Sequence, residues 1–343
     1  MSHRSSGPPA DPSRRLAPIV RLAPAKLNLS LAILGRRADG FHSIHSVIVP
    51  LALADRLSLA IAASGADTLR VEGLDPGPAA ANLVLRAIAA ARAAVTRTGV
   101  ATPPLAARLE KRIPVAAGLG GGSSDAAAAL DGALEAWGAA LDGATLAAIT
   151  ASLGSDVPFF LVGGAALAEG RGERVTALRG VLGEPVGVLV VTPAIALPTP
   201  AAFAAFAAGY AAAPAAPGAA RLSSEHLAAE LRSGLRAAAL VARAGVLASA
   251  NDLSAAAAVV APALVPFRRA LVRLLGRPVG QSGSGPSLWA LYPSGAAAEV
   301  AAAEVRSAVA DGRLPRAGDG PPFVAATTIA PGRPPAGSDR RQG

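Results

Sequence analysis

The sequence predicts an α+β protein of two lobes. Three observations carry that expectation: 343 residues suit one large domain or two of ordinary size, a run of strand-like segments precedes the first long helix, and the composition changes near residue 180. The implied organisation is a leader over 1–18, a first lobe over 19–180, a second lobe over 181–330 and a tail over 331–343. Both ends combine Pro, Gly, Ser and Arg without an apolar run, so they read as disordered and the first of them does not resemble a secretory signal.

Residues 19–34 place alternating apolar side chains around Pro24-Ala25-Lys26-Leu27-Asn28-Leu29 and read as a strand, or as strand, loop and strand. A polar turn over 35–42 follows, then two strands over 46–53 and 56–62. Residues 82–97 form an Ala-rich helix with Asn82 as its N-cap, since an Asn side chain can accept a first-turn N–H. A strand over 105–113 leads through a loop over 114–122 into a helix over 124–140. Ser123, Ser124 and Asp125 offer capping chemistry where that helix starts. A helix over 145–153 runs into Gly154-Ser155-Asp156-Val157-Pro158. In the second lobe, 187–192 is a strand and Leu197-Pro198-Thr199-Pro200 opens an Ala-rich helix carrying Phe203 and Phe206. Residues 254–275 read as one helix, 280–286 as a glycine-rich loop and 287–292 as a strand.

Composition excludes several classes of function. The hydrophobic fraction of 52% is supplied largely by Ala, and the long uncharged stretch 185–220 is interrupted by six prolines, so it reads as strand, loop and helix rather than a membrane span. The chain has no cysteine, hence no disulfide framework, no thiolate nucleophile and no sulfur-ligated zinc; a reducing, cytoplasmic setting fits. The net charge of +9 comes from dispersed arginines without interleaved aromatics, which argues against a nucleic-acid partner. His42 and His45 stand three apart with no acidic cluster beside them, so they do not read as a metal site.

Rare residues point to the chemistry. Of 32 basic residues only Lys26 and Lys111 are lysine, and a lysine kept against such a bias suits work that needs a compact ammonium. Asn28, Asn82 and Asn251 are the only asparagines. In Gly118-Leu119-Gly120-Gly121-Gly122-Ser123-Ser124-Asp125, glycines let the backbone approach an anion while the following helix directs N–H groups at it. This is a phosphate cradle. It is neither a Walker A loop nor a dinucleotide fingerprint, because the lysine and the glycine spacing of those motifs are missing. A serine hydroxyl, Ser123 or Ser124, can serve Mg²⁺ there. Asp156, between Gly154 and Pro158 in an apolar neighbourhood, is a candidate to orient or accept a hydroxyl proton and needs a partner such as Lys26. Gly280-Gln281-Ser282-Gly283-Ser284-Gly285 misses the nucleophile elbow by one position and reads better as a second loop lining the same cleft.

Three segments stand in a familiar order: Pro24-Ala25-Lys26-Leu27-Asn28-Leu29, residues 114–128 around Gly-Leu-Gly-Gly-Gly-Ser-Ser, and residues 280–287. They resemble the GHMP small-molecule kinases over roughly residues 19–330. Gly35-Arg36-Arg37-Ala38-Asp39-Gly40-Phe41-His42, Leu153-Gly154-Ser155-Asp156-Val157-Pro158-Phe159-Phe160 and Ala168-Glu169-Gly170-Arg171-Gly172-Glu173 are similar to the branch acting on a cytidine diphosphate derivative of methylerythritol. The resemblance implies a GHMP kinase fold, with an N-terminal ribosomal-protein-S5-domain-2-like lobe and a C-terminal ferredoxin-like lobe. It implies ATP as co-substrate with Mg²⁺, Lys26 and Asp156 as the catalytic pair, and ATP binding by Asn82, Lys111, Pro114, Val115, Ala116, Ala117, Gly118, Leu119, Gly120, Gly121, Gly122, Ser123 and Ser124. Asn28, Phe41, His42, Asp156 and Phe203 would hold the alcohol substrate, with Ser123 as a Mg²⁺ ligand. Phe41 stands where the family usually has Tyr, which keeps the stacking surface and removes a phenolic hydrogen bond. Two other readings remain on the sequence: the same fold acting on a small alcohol such as homoserine or mevalonate, and a ligand sensor without catalysis.

Overall fold

The structure, a computed structural model, describes residues 17–74, 82–212 and 218–331. Nearly all of the expected leader and tail lie outside those residues. The first part of the chain forms β1 (Ile19–Asn28), β2 (Ala32–Arg36), β3 (His42–Ile61), β4 (Thr68–Gly73), α1 (Leu83–Thr96), β5 (Leu105–Lys111), α2 (Gly121–Ala136), α3 (Gly143–Leu153), α4 (Val157–Val162), β6 (Ala166–Gly170) and β7 (Arg174–Ala177). There follow β8 (Val181–Leu182), β9 (Gly187–Thr192), α5 (Thr199–Ala212), α6 (Ala219–Ser233), β10 (Leu235–Arg236), α7 (Ala237–Ala242), α8 (Ala244–Ala248), α9 (Leu253–Val260), α10 (Leu264–Leu275), β11 (Gly280–Gln281), β12 (Leu288–Tyr292), α11 (Gly295–Ala310) and β13 (Phe323–Thr328).

β3 is the spine of the first sheet. Two strands were expected over 46–53 and 56–62, but the chain runs through Ala54 and Asp55 without a break for 20 residues. Its antiparallel partners are β2 and β1 in turn, together with β6 over residues 44–48 and β5 over 56–61. β4 joins β5 in parallel and β7 closes the far edge, giving seven strands. A charged residue in mid-strand reads as a stop signal in sequence; here Asp55 is fully buried because other groups of the protein satisfy it. β1 carries a bulge between Pro24 and Lys26, the usual place for a proline inside a strand, and the Lys26 N–H leaves the ladder to bond the Leu119 carbonyl at 2.9 Å.

α1 begins as expected, with the Asn82 side chain accepting the Val84 N–H at 2.9 Å. Val84, Ala87, Ile88, Ala91 and Val95 form its buried stripe against α2 and the sheet residues Leu57, Leu59 and Leu109. α2 departs from expectation. It starts at Gly121 rather than Ser124, with Gly120 as a left-handed N-cap and no side-chain cap, so its first-turn N–H groups are left for another acceptor. The helix expected over 254–275 is two helices, α9 and α10, meeting at 119° around Pro262, which cannot supply the N–H a continuous helix needs there.

The second sheet is antiparallel, in the order β11-β12-β9-β13. β9 is buried on both faces. Leu189 and Val191 face α10 and α11 in one core, whereas Val188 and Val190 join Trp289 and Leu291 in another that also holds Leu27, Leu29, Val47 and Val49 of the first sheet. That second core runs under both sheets and holds them together. Among the described residues, no single helix is long and apolar enough to cross a membrane.

Candidate active site

A cleft of about 1120 Å³ opens along the junction of the two sheets. Three structures converge on it: the bulged end of β1, the loop over 112–120 that leads into α2, and the turn before α4. Lys26 and Asn28 come from the first, and their side chains are nearly fully buried. The Lys26 ammonium donates to Asn28 Oδ1 at 2.6 Å and lies 3.7 Å from Asp156 Oδ2. Asn28 Nδ2 in turn donates to Ser46 Oγ at 2.8 Å, and Ser46 Oγ donates to the Ser30 carbonyl at 2.6 Å. The chain of donors fixes the Asn28 amide with its oxygen toward Lys26 and leaves the more exposed Asp156 carboxylate facing the cleft. Asp156 stands at the start of α4 but its side chain caps nothing there, so a simple capping role does not account for it.

The loop over 112–120 is shaped for close backbone approach. Gly118 (φ +77) and Gly120 (φ +69) take left-handed conformations, and a Cβ at Gly118 would lie 2.5 Å from the Ser282 carbonyl oxygen, one at Gly120 2.9 Å from Lys26 Cγ. Ala116 shares the left-handed region at φ 55, a strained conformation of the kind found where a loop is shaped for a ligand. The second glycine-rich loop packs directly on this one: Ser282 Oγ donates to the Gly118 carbonyl at 2.9 Å and the Ser287 N–H to the Ala117 carbonyl at 3.2 Å. Asn251 ties that second loop down by donating to the carbonyls of Gln281 and Gly283.

Beneath the start of α2 lies a buried ion cluster. Lys111 donates to Asp125 Oδ2 at 2.7 Å and to Asp55 Oδ2, while Asp55 Oδ1 accepts the N–H groups of Arg112 and Ile113 at 2.5 and 2.9 Å. Asp55 thereby anchors the entrance of the glycine-rich loop. Burial on its own would lower the Lys111 pKa, but Asp125 and then Asp55 outweigh it and raise it. Burial pushes Asp125 up to about 7; Lys111 pulls the other way and the nearby Asp55 adds to the rise. Asp125 Oδ1 is buried without a hydrogen-bond partner although the residue lines the cleft.

The opposite end of the cleft is aromatic. Asp39 accepts the Phe41 N–H at 3.2 Å and both its oxygens face Arg37, closing the turn that presents Phe41 and His42. Phe41 is 52% exposed and the Arg171 guanidinium lies over its ring at 4.9 Å. His42 stacks on Phe203 at 5.4 Å with 25° between the planes, and Phe206 meets it edge-on. Burial, then Arg36, lowers the His42 pKa, which favours the neutral ring with one donor and one acceptor nitrogen.

Residues 82–164 match the family described as GHMP kinases N terminal domain. A 4-diphosphocytidyl-2-C-methyl-D-erythritol kinase of Pelotomaculum thermopropionicum is 46% identical over 188 residues, which are 55% of this chain and 63% of that protein, so this match spans under two thirds of the relative. The kinase of the same name from Rhizobium meliloti is 34% identical over 285 residues, covering 82% of this chain and 88% of its own length. The chain belongs to the 4-diphosphocytidyl-2-C-methyl-D-erythritol kinase family. A crystal structure of a 4-(cytidine 5'-diphospho)-2C-methyl-D-erythritol kinase superposes with a TM-score of 0.66 at 31% identity, covering 91% of this chain and all of the other.

Within this kinase family member, the cleft gathers most of the residues singled out in the sequence. Lys26, Asn28, Asp156, Phe41, His42, Phe203, Asn82, Lys111, Pro114, Val115, Ala116, Ala117, Gly118, Gly120, Gly121, Gly122 and Ser123 all line it. Leu119 and Ser124 do not: the Leu119 side chain lies in the core, and Ser124 is buried, its N–H donating to the Gly120 carbonyl at 2.9 Å and its hydroxyl without a partner. Nor do Ser123, Ser124 and Asp125 cap α2 as expected, because the helix has already begun at Gly121. Asp55 and Ser46 carried no site reading in the sequence, being an acidic residue and an ordinary serine inside a strand, and Ser282 was read only as part of the second glycine-rich loop.

Proposed function

We propose that this chain transfers the γ-phosphoryl group of ATP to the 2-hydroxyl of 4-(cytidine 5'-diphospho)-2-C-methyl-D-erythritol, a step of isoprenoid precursor biosynthesis carried out in the cytoplasm. The observation that carries the reading is the Lys26–Asp156 pair, set between an uncapped helix N-terminus and an aromatic pocket within one cleft. The Gly118–Gly122 backbone and the first turn of α2 would receive the triphosphate, using N–H groups that no side chain satisfies. Asn82 and Lys111 lie on the same side of the cleft. Phe41, His42 and Phe203 would hold the cytosine, with neutral His42 able both to donate and to accept.

The substrate alcohol then sits by Lys26, Asn28 and Asp156. Its oxygen attacks the γ-phosphorus as the bond to the β,γ-bridging oxygen breaks; Asp156 orients the hydroxyl and takes its proton, and ADP leaves. Lys26, fixed by Asn28, faces the charge that develops on the transferred group. Among the described residues no three His, Asp or Glu side chains cluster as a cation site. The chain instead offers Ser123, whose hydroxyl lies 3.6 Å from where a Cβ on Gly154 would be, toward the turn carrying Asp156. That single hydroxyl fits a Mg²⁺ brought in on the triphosphate, where the ion would neutralise phosphate oxygens.

A coupled ADP-release assay tests the reading. ADP should appear with ATP and the cytidine substrate and stay at background with homoserine or mevalonate; release with either simple alcohol alone would replace this substrate assignment, and no release with any would leave only ligand binding.

A further inference from the structure

We propose that Arg171 binds the diphosphate of the alcohol substrate and is the residue that selects a nucleoside diphosphate derivative over a free alcohol; this rests on the substrate reading above. The argument is one of order. The substrate is a linear molecule with its reacting alcohol at one end, the base at the other and the diphosphate between them. Lys26, Asn28 and Asp156 define the alcohol end of the cleft, and Phe41, His42 and Phe203 the base end. Arg171 lines the same cleft, on a β6–β7 turn that touches Ser155 on one side and Phe41 on the other.

Its position is fixed from both sides. The turn from β6 to β7 packs against the residue next to Asp156, since a Cβ on Gly172 would come within 3.5 Å of Ser155 Cβ. On the other side the Arg171 guanidinium lies over the Phe41 ring. The turn is braced from within: Glu173 accepts the Arg171 N–H at 2.5 Å and the Gly172 N–H bonds the Glu169 carbonyl at 3.0 Å. These contacts hold the backbone, while the head of the side chain rests on Phe41 at the wall of the cleft.

The charge of Arg171 is met by one long ion pair. The nearest carboxylate oxygen, Glu173 Oε1, is 3.9 Å from Nε, and Asp39 across the turn is engaged by Arg37 at 2.9 Å. Lys26 and Lys111, by contrast, are held in buried hydrogen bonds, and Arg36 lines the cleft at its aromatic end, paired with His42 in the β2–β3 ladder. A planar guanidinium stacked on an aromatic ring keeps its outer N–H edge free, the geometry that suits paired phosphate oxygens.

The test compares Arg171→Gln with the unaltered chain, using cytidine diphosphate and cytidine as competitors of the alcohol substrate. In the variant we expect KM for the cytidine diphosphate alcohol and the inhibition constant of cytidine diphosphate to rise together, by about tenfold or more. The cytidine constant, kcat and KM for ATP should stay within about twofold. Arg171→Lys, which keeps the charge but not the fork, should fall between. Equal weakening of cytidine and cytidine diphosphate would mean that Arg171 only shapes the Phe41 platform, and unchanged constants for both would mean that it touches neither; each result overturns the assignment. If the unaltered chain fails to turn over the cytidine substrate, the substrate reading falls first; normal turnover with an insensitive variant removes the Arg171 assignment alone.

Discussion

Asp156→Asn keeps the size of the side chain and removes the proton-accepting oxygen, so kcat should fall by about 10²–10⁴. ATP affinity, measured by calorimetry, should change little, because the phosphate loop does not touch this carboxylate in its own bonding. Asp55 serves differently. Asp55→Ala leaves Lys111 with one carboxylate and frees the amides of Arg112 and Ile113 in a site that is fully buried. Breaking a buried charge network of this kind costs about 3–5 kcal/mol, and chemical denaturation would show the loss, together with a raised KM for ATP. These two aspartates also mark how far single residues could be read from sequence. Asp156 announces itself through its Gly and Pro neighbours, and Lys26 and Lys111 through their rarity. The same argument from rarity conceals Arg171, one arginine among many, and Asp55 gives no local sign because its partners arrive from 56 residues downstream.

At the level of elements, the glycine-rich loop and α2 make one device. Gly120→Ala must place a Cβ in a left-handed conformation within 2.9 Å of Lys26 Cγ and 3.0 Å of Phe160 Cζ. We expect kcat to drop at least about tenfold, with a stability loss of about 1–2 kcal/mol from the backbone strain. A thermal melt alongside the ADP assay separates the two effects. Elements with a strong period and a recognisable cap, such as α1 behind Asn82, were legible. Boundaries failed where tertiary contacts override local signals. Asp55 in β3 looks like a break until Lys111 and two amides meet it; Pro262 splits a helix that Ala-rich composition makes seem continuous; and α2 starts early because glycines that look like loop can still enter a first helical turn. β4, β6 and β7 were not read at all: they are short, β4 and β6 pair with β5 and β3 far off in sequence, and β7 has only β6 beside it.

For the whole molecule, the buried ion cluster sets a pH dependence. The folded chain keeps the Asp125 proton up to about pH 7, whereas an unfolded chain releases it near 3.8. Between those values the folded state binds more protons, so this group makes stability fall as pH rises from about 4 to 7 and level off above. The rise at Lys111 acts above 10.5 and leaves this window unaffected. Melting temperatures at pH 5 and pH 8 should therefore differ less in Asp125→Asn than in the unaltered chain; an equal difference in both would exclude Asp125 as the source. The α+β class was legible in the sequence, but the core shared beneath the two sheets was not, since it depends on which face of β9 meets which partner. β3 gives that design a further property. A single 20-residue strand begins with His42 at the aromatic end of the cleft and carries Asp55, which holds the entrance of the glycine-rich loop, further along. Hydrogen-bonded along both edges, it acts as a gauge bar between those two parts of the cleft. A one-residue insertion would turn every following side chain to the wrong face. Substitutions at either end of the strand therefore leave the span between its two ends unchanged.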